Sequence, residues 1–244
     1  MTGVPLTILV VSDREFLPRL KALASSIQQN APSARLHAYL VNLQPDDRDV
    51  EELRRLHSDI TTTFVLEALD DARVTIALDG MTQFTEKAGF CVNLRGRAIF
   101  DLLQAGVPIT LFLDADSIVR GDLSELVQMI QDNDIVIHKR DHLEEFRRVA
   151  GGAIGVNNTA AARAFVRRFI ERIDALGNRT FFSDQWSFHL TALEFGDRVR
   201  IAHLPLSYID WEFSDDSHIW SGKGQRKLHD SKYLAEQRHY SKDQ

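Results

Sequence analysis

The chain has 244 residues, of which 44% are hydrophobic and 26% charged, a balance that excludes a disordered chain and is typical of a soluble globular protein. A formal net charge of -6 argues against binding to bulk nucleic acid, because such binding depends on many cations that neutralise phosphates. Cys91 is the single cysteine, so an intramolecular disulfide and a multi-cysteine zinc site are excluded. Its apolar neighbours predict a buried structural thiol.

The N-terminal segment does not have the pattern of a signal peptide. The apolar residues within Met1 to Val11 lack a basic segment before them and a small-residue cleavage site after them, so they are predicted to form a strand and not a signal peptide. No uncharged apolar run reaches about 18 residues, and a transmembrane helix is therefore not expected. These features predict a cytoplasmic protein.

The first part of the chain alternates between β-branched runs and amphipathic segments. This alternation predicts an α/β fold with a mostly parallel central sheet flanked by helices. The predicted strands are Leu6 to Val11, Arg35 to Leu43 and Thr61 to Leu66, and the predicted helices are Phe16 to Gln29 and Asp46 to His57.

A helix is next predicted from Asn93 to Gln104, because Gly106 and Pro108 would end it. The apolar strand Ile109 to Leu113 follows and leads directly into Asp114-Ala115-Asp116. Another helix should begin within Gly121 to Glu125, with Asp122 or Ser124 at its N-cap.

The second half differs in composition, but no linker separates it from the first. We therefore predict one domain over residues 1-244, with a nucleotide-binding half (1-126) and an acceptor or sugar half (127-244). Its predicted strands are Asp134 to Ile137 and Gly152 to Val156, its helices are Thr159 to Leu176 and Ser183 to Leu193, and Ser207 to Gln244 is predicted as loop and short helix closing over a site.

Asp114 and Asp116 carry the strongest chemical signal. The carboxyl end of a buried strand is where open α/β sheets bind their ligands. Mg²⁺ and Mn²⁺ prefer oxygen ligands, and one or two carboxylates suffice when substrate phosphates complete the shell. The sequence therefore predicts a divalent-cation site for a diphosphate, although an isolated D-x-D is more often a helix cap and a solvated side chain.

The segment Arg97 to Leu126 resembles the core of the GT-A glycosyltransferases, especially the retaining family that contains glycogenin and bacterial lipopolysaccharide galactosyltransferases. Both have an Arg on a helix, a Gly-containing turn, an apolar strand, D-x-D and an acidic helix. The resemblance runs in order along most of the chain. It implies a Rossmann-like GT-A fold and metal-dependent transfer of a sugar from a nucleotide-diphosphate donor, with UDP as the expected nucleotide.

The resemblance also implies roles for residues of the first half. Val11, Ser12 and Asp13 would meet the donor's base and ribose, and Arg97 its phosphate or sugar. Within Asp114-Ala115-Asp116, the first aspartate would contact ribose and metal and the second would bind metal. The alternatives are that Asp13 is a helix N-cap and that Arg97 forms a surface ion pair with Asp101.

Two further motifs are expected near the transferred sugar. Gly151 to Asn158 resembles the family's N-S-G-V-x-x-x-N strand, which would bring the Gly152 backbone to the sugar, although the Asn-Ser pair is absent here. Ser183-Asp184-Gln185 resembles the family's x-D-Q element. By that resemblance Asp184 would bind sugar hydroxyls and Gln185 would lie near the anomeric carbon. The same three residues are also a good helix-capping sequence.

The segment His218 to Lys227 is similar to the family's H-x-x-G-x-x-K segment. The resemblance makes His218 the third metal ligand and assigns Gly222, Lys223 and Lys227 to the diphosphate. The spacing is imperfect: the frame through Gly222 puts Ile219 at the ligand position, and the frame through Gly224 and Lys227 puts Ser221 there. His203 and His229 compete for the ligand role, and an exposed basic tail is the alternative for the lysines.

Retention of anomeric configuration is expected if the resemblance holds. An inverting enzyme would need a carboxylate base, for which Asp184, Asp210, Glu212 and Asp215 are available. The acceptor could be a glycan, a lipid-linked sugar or a small molecule, with Trp211 as a sugar contact and peripheral membrane contact through the basic tail. The competing functions are a catalytically silent nucleotide-sugar-binding protein and a sugar nucleotidyltransferase.

Overall fold

The computed structural model describes residues 4–69, 74–76, 83–176 and 180–241. Its strands are β1 Leu6–Asp13, β2 Arg35–Val41, β3 Ile60–Val65, β4 Val74–Ile76, β5 Gln83–Thr85, β6 Ile109–Leu113, β7 Ser117–Val119, β8 Ile135–Lys139, β9 Val149–Asn157, β10 Ile201–His203 and β11 Ile219–Ser221. Its helices are α1 Leu17–Asn30, α2 Arg48–Leu56, α3 Glu86–Gln104, α4 Ser124–Asp132, α5 Ala160–Ala175, α6 Ser183–Phe195, α7 Arg226–His229 and α8 Ser231–Ser241.

Over these ranges, seven strands form one sheet in the order β10-β8-β9-β6-β1-β2-β3. Strand β9 runs antiparallel to both its neighbours, β6 and β8, and the other neighbouring pairs are parallel. The predicted α/β fold with a mostly parallel central sheet is confirmed. None of the described helices is both long and apolar enough to cross a membrane.

The sheet separates two apolar layers. Alternate side chains of β1 pack into one layer or the other. Ile8 and Val10 pack with the leucines of α1 and with α2 and α4 on one face. Leu9 and Val11 point to the other face, against α3, α5 and α6. Successive strand residues face opposite sides, so a strand that is apolar at every position belongs inside such a three-layer fold.

A smaller apolar cluster fixes the C-terminal segment beside the sheet. Trp220, Phe213 and Tyr233 pack there with Ala22 of α1 and Ile118 of β7. Strand β11 pairs antiparallel with β7, the strand that follows Asp116. The C-terminal segment is thereby held over the carboxyl edge of the sheet.

Some element predictions need correction. Helix α3 begins at Glu86 and not at Asn93, because Thr85 accepts a hydrogen bond from the backbone N–H of Ala88 and caps an earlier start. Cys91 is half-buried against the second apolar layer, not fully buried. The ends of the predicted domain, 1–3 and 242–244, lie outside the described residues.

Candidate active site

Asp114 and Asp116 occupy a tight turn at the carboxyl end of β6. The backbone N–H of Asp114 donates to the carbonyl of Gly152 (2.9 Å), and the N–H of Ser117 donates to the carbonyl of Asp114 (3.0 Å). Asp116 is only 6% exposed, whereas 39% of the Asp114 side chain is exposed. The Asp114 carboxylate is therefore open to the space above the sheet, whereas the Asp116 carboxylate is buried.

Above this turn lies a cleft of about 370 Å³, within the size range of small-molecule sites. It gathers cations, carboxylates and aromatic rings from both halves of the chain around the D-x-D turn. The polar and charged side chains that line it are Arg95, Asp114, Asp116, Arg140, Arg147, Asp184, Gln185, Ser221, Lys223 and Lys227.

Arg95 connects the parts of the cleft. Its guanidinium is 3.6 Å from Asp114 Oδ1 and 3.3 Å from Asp184 Oδ2, and it donates to the carbonyls of Val92 and Gly151. Its side chain is 5% exposed. One buried cation thus neutralises carboxylates from two distant parts of the chain, which is the arrangement that makes buried charge tolerable.

The role expected for Arg97 is corrected by this geometry. Arg97 is half-exposed and pairs with Asp174 at 2.8 Å, not with Asp101, and it lines a separate depression of about 180 Å³. An α-helix turns by about 100° per residue, so side chains two positions apart point in nearly opposite directions. Arg95 faces the cleft, and Arg97 consequently faces away from it.

The glycine pair of β9 lies against the charged groups. A Cβ atom on Gly152 would lie 2.8 Å from Asp114 Oδ2, and one on Gly151 would collide with Arg95 and lie 3.0 Å from Asp184 Oδ2. Side chains at these positions would displace the ion-paired groups. This close approach is a physical reason for two glycines where the family pattern has Asn-Ser.

Asp184 and Gln185 line the cleft at the start of α6. The residue before the helix is Phe182, in a left-handed conformation, and no side chain caps the helix there. Burial raises the pKa of Asp184, and the charge of Arg95 opposes that rise. Gln185 Oε1 accepts a hydrogen bond of 2.8 Å from Arg140, which fixes the orientation of its amide.

The lysines of the C-terminal segment reach the D-x-D turn. Lys227 Nζ donates to Asp116 Oδ2 at 2.6 Å. Lys223 lies with its Nζ 3.9 Å from the centroid of the Trp211 ring. Lys223 is exposed over the residue as a whole, but desolvation of its ammonium in the cleft lowers the pKa of Lys223 to about 8, and the charges of Arg140 and Arg147 contribute.

Burial also affects the aspartate that faces the cleft. It raises the pKa of Asp114 to about 6, while Arg95 opposes the rise and the charge of Asp116 adds to it.

The backbone carbonyl of Asp116 accepts from the Tyr233 hydroxyl (2.7 Å) and from the N–H of Gly222 (3.0 Å). The C-terminal segment therefore fixes both the backbone and the side chain of this turn.

His218 does not join the two aspartates, contrary to the expectation. Its ring stacks on Tyr208 at 4.8 Å, and its Nδ1 is buried beside Gly121. In the β7–β11 ladder Ser221 faces Ser117 next to Asp116, and His218 is three positions further away, roughly 10 Å along a strand. The described residues contain no group of three or more His, Cys, Asp or Glu side chains suited to a metal.

The competing histidines are also outside the cleft lining. His203 Nδ1 accepts from the backbone N–H of Lys139 at 3.2 Å, and His229 is exposed on α7. Ser221 does line the cleft, so the frame through Gly224 and Lys227 is the one that the geometry favours. A serine hydroxyl stands where that frame places the family's histidine.

Val11, Ser12 and Asp13 end β1 at the same sheet edge but do not line the cleft. Asp13 Oδ1 accepts a 3.0 Å hydrogen bond from the backbone N–H of Phe16. This bond closes the turn before α1, whose N-cap is Phe16 without a side-chain cap, so the alternative that Asp13 is the helix N-cap is wrong. A donor role for Val11, Ser12 and Asp13 remains a prediction.

The sequence reasoning missed Arg95, Arg140 and Arg147, all of which line the cleft. For Arg140 a signal was present: it directly follows the apolar strand β8, where a charged residue is at the sheet edge. For Arg147, in a short 3-10 helix, the local sequence carries no comparable signal.

One larger depression, of about 460 Å³, lies at the opposite end of the sheet. It is formed by the residues that precede β1 and β2 and by α4, and its one carboxylate, Asp122, is bonded to Ser124. It offers no convergent set of charged groups. The chemistry therefore favours the cleft above the D-x-D turn.

The fold and this cleft define an α/β enzyme that binds its ligand at the carboxyl edge of the sheet. Residues 7–183 match the model of glycosyl transferase family 8. The chain belongs to this family and is a glycosyltransferase with the GT-A fold. The predicted enzyme class is confirmed, and the family match argues against the nucleotidyltransferase alternative.

Solved structures support the same fold at low sequence identity. An active-site mutant of LgtC matches with a TM-score of 0.66 and 13% identity, over 97% of this chain and 95% of that one. Mouse xyloside xylosyltransferase 1 matches with a TM-score of 0.56 and 14% identity, over 90% and 98%.

The glycosyltransferase GlyE of Streptococcus pneumoniae TIGR4 matches with a TM-score of 0.65 and 13% identity, over 98% of this chain. The chain spans 60% of the length of GlyE. No curated protein sequence gives a significant match.

Proposed function

We propose that this enzyme transfers a sugar from a UDP-sugar to an acceptor hydroxyl, with retention of anomeric configuration. The observation that carries the proposal is the convergence of Asp114, Asp116, Asp184, Gln185 and Lys227 in one cleft. The family supplies the reaction class. The nucleotide rests on the resemblance, and LgtC, a relative in fold, has been crystallised with donor and acceptor sugar analogs.

The donor's diphosphate would lie between the D-x-D turn and the C-terminal lysines. As the bond from the anomeric carbon to the diphosphate oxygen breaks, its electron pair stays on that oxygen and negative charge develops there. Lys223 and Lys227 bring positive charge to that end of the cleft. Preorganised charges of this kind stabilise a leaving group more than they stabilise the ground state.

The residues also suit a divalent cation, Mn²⁺ or Mg²⁺. Asp114 and Asp116 offer carboxylate oxygens, and the Ser221 hydroxyl lies on the same side of the cleft. Such an oxygen set fits these hard cations when diphosphate oxygens and water complete the shell. Bound there, the cation would supply Lewis-acid neutralisation of the departing diphosphate. His218 has no part in this ligand set.

The sugar would bind beside β9 and the start of α6. Asp184 can accept hydrogen bonds from sugar hydroxyls, and its ion pair with Arg95 fixes it in place. The oriented amide of Gln185 would lie near the anomeric carbon. Gly151 and Gly152 let Arg95, Asp114 and Asp184 lie close to the strand backbone beside the sugar.

The candidate bases disfavour inversion. Burial alone would raise the pKa of Asp210, but hydrogen bonds from the N–H groups of Glu212 and Ser214 and from the Ser217 hydroxyl lower it overall. Asp215 is exposed and paired with Lys232, and Glu212 does not line the cleft. Asp184 lines the cleft, but its carboxylate is paired with Arg95.

A retaining transfer fits this arrangement. The acceptor oxygen would attack from the face that the diphosphate leaves and form the new glycosidic bond. Its proton would pass to the departing diphosphate oxygen, which is the nearest acceptor on that face. The acceptor, a glycan, a lipid-linked sugar or a small molecule, would pack on Trp211 at the rim of the cleft.

The first test measures donor binding. We expect UDP to raise the thermal unfolding temperature, with a larger rise when Mn²⁺ is present, because a ligand bound by the native state stabilises it by mass action. GDP should act more weakly. Asp116→Asn should abolish the Mn²⁺-dependent part, while Asp122→Asn, at a carboxylate far from the cleft, should keep it. No shift with any nucleotide would contradict the proposed function.

The second test addresses stereochemistry without a known acceptor. The enzyme is incubated with a UDP-sugar of α configuration, and slow transfer to water is followed by proton NMR. A retaining enzyme releases the α-anomer before mutarotation mixes the two forms. Early appearance of the β-anomer would show inversion and would contradict the retaining mechanism.

A further inference from the structure

Arg140 and Arg147 meet in the cleft without carboxylate partners. Arg140 is 7% exposed and donates to the carbonyl of Val149 and to Gln185 Oε1. The Nε atoms of both arginines are buried and make no hydrogen bond. Both guanidiniums therefore keep donor capacity that the described part of the protein does not use.

The cations of the cleft that have carboxylate partners use all of its described carboxylates, so none is left for Arg140 and Arg147. Arg95 pairs with Asp114 and Asp184, and Lys227 pairs with Asp116. These pairs account for every carboxylate among the described lining residues. A buried cation without a counter-charge is costly, so the buried Arg140 with the half-buried Arg147 beside it indicates an anion that arrives with the substrate.

The charge of Arg147 affects the pKa of Arg140. Burial lowers the pKa of Arg140 to about 10, and the nearby charge of Arg147 lowers it further in the same direction. With a pKa of about 10, Arg140 remains cationic at neutral pH. An arriving carboxylate or phosphate would relieve this repulsion and could accept hydrogen bonds from either guanidinium.

Their hydrogen-bond and ring contacts are on the α6 side of the cleft, and their charges also act on Lys223. Arg140 contacts Gln185 on α6, whereas Asp116 and Lys227 face each other at the D-x-D turn. Arg147 lies over the Phe182 ring, with its guanidinium carbon 5.8 Å from the ring centroid. The two arginines thus belong to the part of the cleft where the sugar would be transferred.

We propose that Arg140 and Arg147 form an anion subsite for a carboxylate or phosphate group carried by one of the two sugars, the donor's or the acceptor's. This inference rests on the proposed function, because it assumes that the nucleotide sugar binds in this cleft. It specifies the substrate class: one sugar is a uronic acid or a phosphorylated sugar.

The donor arm compares matched nucleotide sugars by calorimetry. The probes are UDP, UDP-glucose with UDP-glucuronate, and UDP-galactose with UDP-galacturonate. If the anion belongs to the donor, the wild-type protein should bind one acidic sugar about tenfold or more tightly than its neutral counterpart, as expected for a charge-assisted contact. Arg147→Met should remove this preference and leave UDP affinity unchanged.

The acceptor arm uses protein saturated with UDP. The probes are methyl glucoside, methyl glucuronide, methyl galactoside, methyl galacturonide and the 6-phosphates of glucose and galactose. If the anion belongs to the acceptor, an acidic or phosphorylated probe should bind about tenfold or more tightly than its neutral counterpart. Arg147→Met should again remove the preference.

Arg148→Met is the matched control, since Arg148 is the neighbouring arginine and does not line the cleft. It should keep every preference of the wild type. Arg140→Lys, which retains the charge but not the fork of donors, should weaken the acidic probe without removing the preference. Thermal unfolding of each variant establishes that it is folded.

The outcomes are distinguishable. UDP binding without any acidic or phosphate preference in either arm overturns the subsite and leaves the proposed function standing. A loss of affinity for UDP itself in Arg147→Met also overturns it, because the arginine would then contact the diphosphate. A folded wild-type protein that binds no nucleotide overturns the proposed function, and with it the subsite.

Discussion

At the scale of single residues, Arg95 and Arg97 show how a small shift in position decides a role. Both are arginines on α3, but the segment that resembles the family core begins at Arg97, two residues after Arg95. The sequence predicts that an arginine of this helix reaches the donor, but the choice between two positions depends on the exact rotation of the helix against the sheet. That rotation is set by packing across the molecule.

Replacing each of these arginines by methionine tests the correction. Arg95→Met should lower the free energy of unfolding by about 3–5 kcal/mol, because it leaves the buried carboxylate of Asp184 without its cation. Arg97→Met removes a half-exposed ion pair and should change stability by less than about 1 kcal/mol. Urea unfolding measures both. Equal effects would contradict the assignment of Arg95 to the cleft.

Lys223 predicts a pH dependence of donor binding. Its pKa is lowered to about 8, so the free protein loses this charge as the pH rises through that value. UDP affinity should therefore fall between about pH 7 and pH 9, by up to tenfold for each unit above the pKa. Lys223→Met should bind more weakly at neutral pH and lose this dependence. An unchanged pH profile in the variant would exclude Lys223 as the titrating group.

At the scale of elements, strand β9 is the strand of the sheet whose glycines line the cleft. Gly152→Ala would bring a methyl group to 2.8 Å from Asp114 Oδ2, and we expect it to weaken UDP binding at least tenfold. Gly106→Ala is a useful contrast, since Gly106 has a φ of 81° and open space around it. It should lower stability by about 1 kcal/mol and leave UDP affinity intact. Calorimetry and urea unfolding separate the two effects.

Helix α8 offers a second matched pair. Tyr233→Phe removes the hydrogen bond to the carbonyl of Asp116, and Tyr240→Phe removes one to the side chain of Asn30. Each should lower the free energy of unfolding by about 1 kcal/mol. Only Tyr233→Phe should also reduce UDP affinity, because only that bond fixes the D-x-D turn. If both variants bind UDP like the wild type, the turn does not depend on α8.

Local patterns were sufficient for most of the fold. The runs that became β1, β6 and β9 are continuous and apolar, and the helices α1 and α5 show clear helical spacing. The short strand β10 and the pairs β4–β5 and β7–β11 have three residues each. Their pairing depends on segments distant in the chain, and no local periodicity reveals it.

At the scale of the whole molecule, the cleft concentrates positive charge within a chain of net charge -6. Five cations and three carboxylates line it. The sequence predicted the carboxylates because two of them follow a conspicuous strand and the third lies in a recognisable motif. Three of the cations were missed, since the topology brings them together from α3, the end of β8 and the 3-10 helix 145–147.

The family match ends at residue 183, whereas Asp184, Gln185, Ser221, Lys223 and Lys227 all line the cleft. Residues 7–183 therefore contain the carboxylates of the D-x-D turn but lack the lysines that face them. The part of the site that would close over the donor comes from sequence beyond the matched region, where the H-x-x-G-x-x-K pattern is also least regular.

The pairing of β11 with β7 has a consequence for biosynthesis. Domains generally fold as units during synthesis. Here the turn at Asp116 is held by Gly222, Lys227 and Tyr233, which are translated about a hundred residues later. The last strand of the sheet, β10, ends at His203, so a nascent chain can hold all seven strands before its cleft is complete, and we expect donor affinity only after Tyr233 has emerged.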